Sequence, residues 1–237
     1  MSDQSQHIAS AFDRDLEALQ ANIMKMGGLV EASILESTRA LAERDTELAD
    51  SVRAGDVAID ALEDLINEDA ARIIAMRQPM SSDLRIILTV MKVSSNLERI
   101  GDYAKNIAKR TLVVAETGPI NGTDKTLKRM AREVDLMLKD VLDAFIQRDA
   151  ALAADVRERD EGVDQMYNAL FREFLTHMME DPRNITACMH LHFIAKNIER
   201  MGDHATNVAE EVIYLVSGER PEDARPKGAT APDLEQS

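Results

Sequence analysis

One stretch of this chain is written twice. Residues 96–108 read NLERIGDYAKNIA and residues 197–209 read NIERMGDHATNVA. Asn, Glu, Arg, Gly, Asp, Ala, Asn and Ala recur in the same places, and most of the differing positions exchange one apolar residue for another. An internal repeat limits what a chain can fold into, because each copy must build the same unit. Each copy also sets two acids four residues apart, Glu98 with Asp102 and Glu199 with Asp203, which puts each pair on one helix face a turn apart. In a chain with 43 acidic residues a lone pair at that spacing means little. Its repetition carries the information.

The repeat reaches further back. Arg44-Asp45, Leu48, Ala49, Val52, Arg53, Asp56 and Asp60 return as Arg148-Asp149, Leu152, Ala153, Val156, Arg157, Asp160 and Asp164. Around these anchors the apolar residues step by threes and fours, as in Phe12, Leu16, Leu19, Ile23, Met26 and Val30. That period predicts helices over about 8–43, from the Arg44-Asp45 break to just before Pro79, and over 82–115, 124–147, 149–180 and 184–217. Ser81 or Ser82 is available to cap the third. Gly27 and Gly28 interrupt the first stripe, which suggests close helix packing. With 3% aromatics and few Gly or Pro, the expectation is an all-α protein of two tandem, internally duplicated three-helix bundles. The bundles span 8–116 and 124–217, the turn-rich segment 117–124 links them, and residues 218–237, which lack any apolar period, form a disordered tail.

The spacing of the acids is consistent with that architecture. If helices two and three form an antiparallel hairpin about Pro79, Asp60 and Glu98 are equidistant from the proline, and so are Asp56 and Asp102. Asp164 with Glu199, and Asp160 with Asp203, share a midpoint just before Pro182. Each half therefore brings four carboxylates to one level of a hairpin, on its outside edge according to the helical angles. Gathered carboxylates repel, and a divalent or trivalent cation relieves the repulsion. All-oxygen donor sets suit hard ions such as magnesium, manganese or iron. Asn106 and Asn207, a turn further on, are possible outer ligands, and Gly101 and Gly202 remove bulk beside the acids. The competing reading is two solvated acidic faces on a helical scaffold, with Arg99 and Arg200 as partners.

Other chemistries find little support. A formal charge of −15 disfavours general electrostatic binding to nucleic acid or an anionic membrane. None of the five histidines follows a Glu at the Glu-x-x-His spacing of di-iron bundles, and His190 and His192, two apart, face different directions. Cys188 has no evident base and reads as packing. Arg77 and Arg85 read as solvated helix-end charges. The first residues show no secretory pattern and no apolar run is long enough to span a bilayer, so a cytoplasmic protein that is not an enzyme is expected.

The segments MRQPMSSDLRIIL (76–88), NLERIGDYAKNIA, MMEDPRNI (178–185) and NIERMGDHATNVAEEVIYLVSGE (197–219) together resemble the PhoU family of phosphate-specific transport accessory proteins. That resemblance implies a negative regulator of the phosphate-starvation response and of phosphate uptake. Such a protein would couple the ATPase of the phosphate ABC transporter to a sensor histidine kinase, would commonly be a homodimer, and would meet the membrane only through its partners. It also implies acidic motifs that hold metal, with iron, manganese, magnesium or zinc as candidates. These map onto Glu98/Asp102 and Glu199/Asp203, with Asp56/Asp60 and Asp160/Asp164 as the facing acids.

Overall fold

The computed structural model describes residues 3–120 and 122–221, with side chains from residue 12 onward. Among these residues the chain forms six α-helices and no strand. They are α1 (Asp3–Glu43), α2 (Thr46–Arg77), α3 (Ser82–Ala115), α4 (Thr123–Gln147), α5 (Ala150–Glu180) and α6 (Ile185–Ser217), with a 3₁₀ turn at Pro182–Asn184. The expected boundaries hold closely, except that α1 begins earlier. Of the expected tail, residues 222–237 lie outside the described residues, while Gly218 caps α6 in the left-handed region.

The duplicated Arg-Asp junctions show why the chain reverses where it does. Arg44 and Arg148 take φ values of 55° and 54°, and each of the following aspartates caps the next helix. Asp45 accepts from Leu48 N at 2.9 Å, and Asp149 accepts from Ala151 N and Leu152 N at 2.9 and 3.0 Å. A side chain in this role satisfies helix-end donors that have no intrahelical partner. At the start of α3 the sequence expectation fails. Ser81 sits at the cap position with φ 52° and ψ −114°, and its side chain makes no capping bond. Gln78 and Ser81, on either side of Pro79 and Met80, both take positive φ, so the chain turns sharply here.

The two halves do not keep separate cores. Ile23, Ile66, Val93 and Ile100 of the first half belong to one continuous buried cluster with Met130, Val141, Phe174 and Ile198 of the second. The joint is made by α3 against α6 and by α1 against α4. Gly27 serves the second contact, since a Cβ there would fall 2.5 Å from Leu142 Cδ1. Gly28 has open space around it, so only one of the two glycines is a packing device.

Along the α3–α6 seam the helices run antiparallel and their repeats meet. Tyr103 and His204, equivalent positions of the repeat, bring their rings to 5.6 Å between centroids. Lys92 forms an ion pair with Glu211 at 3.1 Å, and Arg110 lies over the ring of Phe193 at 4.2 Å. Lys92 and Phe193 are equivalent, as are Arg110 and Glu211. The same approximate two-fold contact is therefore an ion pair on one side and a cation–π contact on the other. His204 Nδ1 also lies 2.8 Å from Asn96 Oδ1, which fixes the imidazole between the two copies of the motif.

Candidate carboxylate centres

Each half places an aspartate of its middle helix directly against the glycine of the Glu-Arg-x-Gly-Asp motif. A Cβ on Gly101 would lie 3.8 Å from Asp56 Oδ1 and 3.0 Å from Ile59 Cδ1. A Cβ on Gly202 would lie 2.9 Å from Asp160 Oδ1. The missing side chain lets the helices close at this level, and closing them buries the acids. Asp56 is 4% exposed and Asp160 1% exposed, so these two do not sit on the outer edge as the helical angles predicted. Asp60 and the two asparagines, Asn106 and Asn207, are exposed; Glu98, Asp102, Asp164, Glu199 and Asp203 are half-buried.

In the first half Asp56 and Asp102 do meet, through a lysine. Lys105 Nζ donates to Asp56 Oδ2 and, at 3.1 Å, to Asp102 Oδ1. The bond to Asp56 is the main reason its ammonium is held above the ordinary lysine range, against the opposing pull of burial. Asp102 is also 3.5 Å from Arg99, which reaches Glu98 at 3.4 Å. Glu98 is pushed up to about 7, first by burial and then by the Asp102 charge, with Arg99 opposing and Glu63 adding repulsion. Burial raises Asp60 as well, with Asp56 as the next cause. Across the hairpin the acid that bears on Glu98 is thus Glu63 of α2, while Asp60 faces Asp56 and Asp102.

The second half is built from the same anchors with different neighbours. The residue equivalent to Lys105 is Thr206, whose hydroxyl donates to Gly202 O at 2.9 Å within its own helix. The residue equivalent to Glu63 is Tyr167, and Lys196 Nζ lies 5.1 Å from its ring centroid. Lys196 also donates to Glu199 Oε1 at 2.9 Å, while Glu199 Oε2 is buried without a hydrogen-bond partner. Among the described residues no three Asp, Glu, His or Cys side chains converge as a ready-made metal site. The second-half set offers hard oxygen donors, with Asp160 buried and Glu199 Oε2 buried without a hydrogen-bond partner.

The other candidates resolve plainly. Cys188 is fully buried, and burial pushes its thiol up. Arg77 pairs with Asp15 at 3.2 Å and Arg85 lies 5.4 Å from the Tyr214 ring centroid, so both are tied to the body of the protein. His192 is packed among Tyr167, Phe171 and Phe193, and burial, followed by Lys196, lowers its affinity for a proton.

Lys105, Glu63, Lys196 and Tyr167 were not singled out from sequence. Lys105 carried one usable signal: three residues past Asp102, it lies within salt-bridge reach on the same face.

Comparison with known proteins agrees with this architecture. The family model "PhoU domain" matches residues 23–111 and again 127–212, one match in each half. The chain is 48% identical over 221 residues to a Rhizobium meliloti phosphate-specific transport system accessory protein PhoU homolog, covering 93% of each. It is 46% identical to the protein of the same description from Caulobacter vibrioides, covering 94% of this chain and 97% of that one. A crystal structure of PhoU from Pseudomonas aeruginosa superposes with a TM-score of 0.85 at 40% identity, covering 88% of this chain and all of that one. The phosphate transport system regulatory protein PhoU from Streptococcus pneumoniae superposes at 0.83 with 32% identity, covering 89% and 99%.

Proposed function

The chain belongs to the PhoU family, and from that premise we propose that it is a regulatory accessory of a phosphate-specific transport system. In this reading it holds the phosphate-starvation response and phosphate uptake down when phosphate is plentiful. It does so as an adaptor between the ATPase of the phosphate transporter and a phosphate-sensing histidine kinase. No helix among the described residues is long and apolar enough to cross a membrane, and we assign membrane contact to those partners. A homodimer is part of the same proposal. The observation that carries it is the near-full-length match to accessory proteins of phosphate transport, with both copies of the acidic motif set against a buried aspartate.

Asp160, Asp164, Glu199 and Asp203 are the residues that would hold a hard divalent or trivalent cation such as manganese, magnesium or iron, or else zinc. The cation would supply positive charge that draws α5 and α6 together, and its binding would stabilise the folded state. The competing reading, a helical scaffold whose acids only keep it in solution, is favoured by the lysine that already pairs Asp56 and Asp102.

Deleting the gene tests the regulatory role. Phosphate-responsive genes stay on in phosphate-rich medium if the reading is right, and normal repression contradicts it. A pull-down in high and low phosphate then asks whether the transporter ATPase and the kinase accompany the chain.

A further inference from the structure

The two halves repeat their acids but not the residue that faces them. We propose that the first half is a lysine-closed version of the carboxylate centre: the Lys105 ammonium takes the place of a cation between Asp56 and Asp102, so this half takes up no cation of its own. The proposal rests on the reading of the carboxylate sets as cation centres, and it adds that the first of them is already closed.

Three observations carry it. Lys105 reaches in from a partly exposed stem and donates to one carboxylate from each helix of the hairpin. It therefore ties α2 to α3 by the same charge neutralisation that a metal would supply. Asp56 is buried to 4% exposure, so its negative charge needs a partner within the protein, and the ammonium is that partner. A cation entering there would have to expel the ammonium or sit beside it, and like charges a few ångströms apart repel. At the equivalent position of the second half, Thr206 turns its hydroxyl back to Gly202 O and brings no charge. There the lysine present, Lys196, engages one oxygen of Glu199 and leaves the other buried without a hydrogen-bond partner.

Binding of Mn²⁺ to the full chain, measured by equilibrium dialysis, tests this. The variants are Lys105→Thr, which installs the residue of the second half, and Lys105→Met, which keeps the stem and removes the charge. Helicity and melting behaviour confirm that each is folded. In the wild-type chain, Glu98→Gln with Asp102→Asn leaves the bound manganese unchanged. Lys105→Thr or Lys105→Met adds a second class of site, about doubling capacity, and Glu98→Gln with Asp102→Asn abolishes the gain. The proposal is overturned if the wild-type chain loses manganese on changing Glu98 and Asp102, or if neither lysine variant gains any. A wild-type chain that binds none while the lysine variants bind would refute the second-half reading and leave the role of Lys105 standing.

Discussion

Asp160 and Gly202 face each other across α5 and α6 so closely that a Cβ on the glycine would fall 2.9 Å from the Asp160 carboxylate oxygen. Asp160 is buried at that point and has little room to swing aside. Gly202→Ala therefore forces the helices apart or displaces a buried charge, at a cost of about 1–3 kcal/mol for overpacking, set against roughly 1 kcal/mol gained in helix propensity. Thermal melts should show Gly202→Ala below wild type. Gly28→Ala, where the added methyl meets nothing within 4 Å, should melt higher.

The helix junctions predict a second contrast. Arg44 and Arg148 both occupy the left-handed region, which costs a non-glycine residue roughly 1 kcal/mol. Arg148→Gly should raise stability by up to about 1 kcal/mol in urea unfolding. Arg44→Gly should gain less, because Arg44 also donates to the Thr117 carbonyl and fastens the segment between the halves.

These two junctions also show how much was legible in advance. The repeated Arg-Asp dipeptide marked both reversals, and the distances from Pro79 and Pro182 brought Asp56 level with Asp102 and Asp160 level with Asp203. Burial was misjudged because a helical angle reports where a side chain points on its own helix, not how near the next helix comes; Gly101 and Gly202 decide that. Lys105 and Glu63 escaped notice for a related reason. Selecting residues that recur passes over any residue present in one copy alone, and these two correspond to Thr206 and Tyr167 in the other copy. Nor does the repeat say which faces of α3 and α6 meet, so the pairing of Lys92 with Glu211 had no signature.

That pairing yields a third prediction. Glu211 is buried, with Lys92 at 3.1 Å and Arg220 at 2.9 Å, and both partners are about half exposed. Either Lys92→Ala or Arg220→Ala should cost only about 0.5–1 kcal/mol, because solvent screens each pair. The double variant leaves a buried carboxylate with neither partner and should exceed the sum by about 1 kcal/mol or more in a double-mutant cycle.

The packed imidazole of His192 predicts a pH dependence. Its folded-state affinity for a proton lies below the ordinary imidazole value, so the unfolded chain takes up the proton more readily. The stability this residue contributes is intact above about pH 6.5, the ordinary value, and is lost as pH falls through that value toward the folded one. As pH falls from 8 to 5, His192→Phe should keep its urea midpoint better than the wild-type chain does, while Glu98, pushed up to about 7, acts in the opposite sense in both.

The central claim is that the second-half carboxylates are what the regulator uses. Expression of a phosphate-responsive reporter in phosphate-rich medium measures it directly, in cells whose only copy carries Glu199→Gln with Asp203→Asn and accumulates to the wild-type level. The account predicts that the reporter comes on in those cells and stays off with Glu98→Gln and Asp102→Asn. Repression that survives the loss of Glu199 and Asp203 would contradict it.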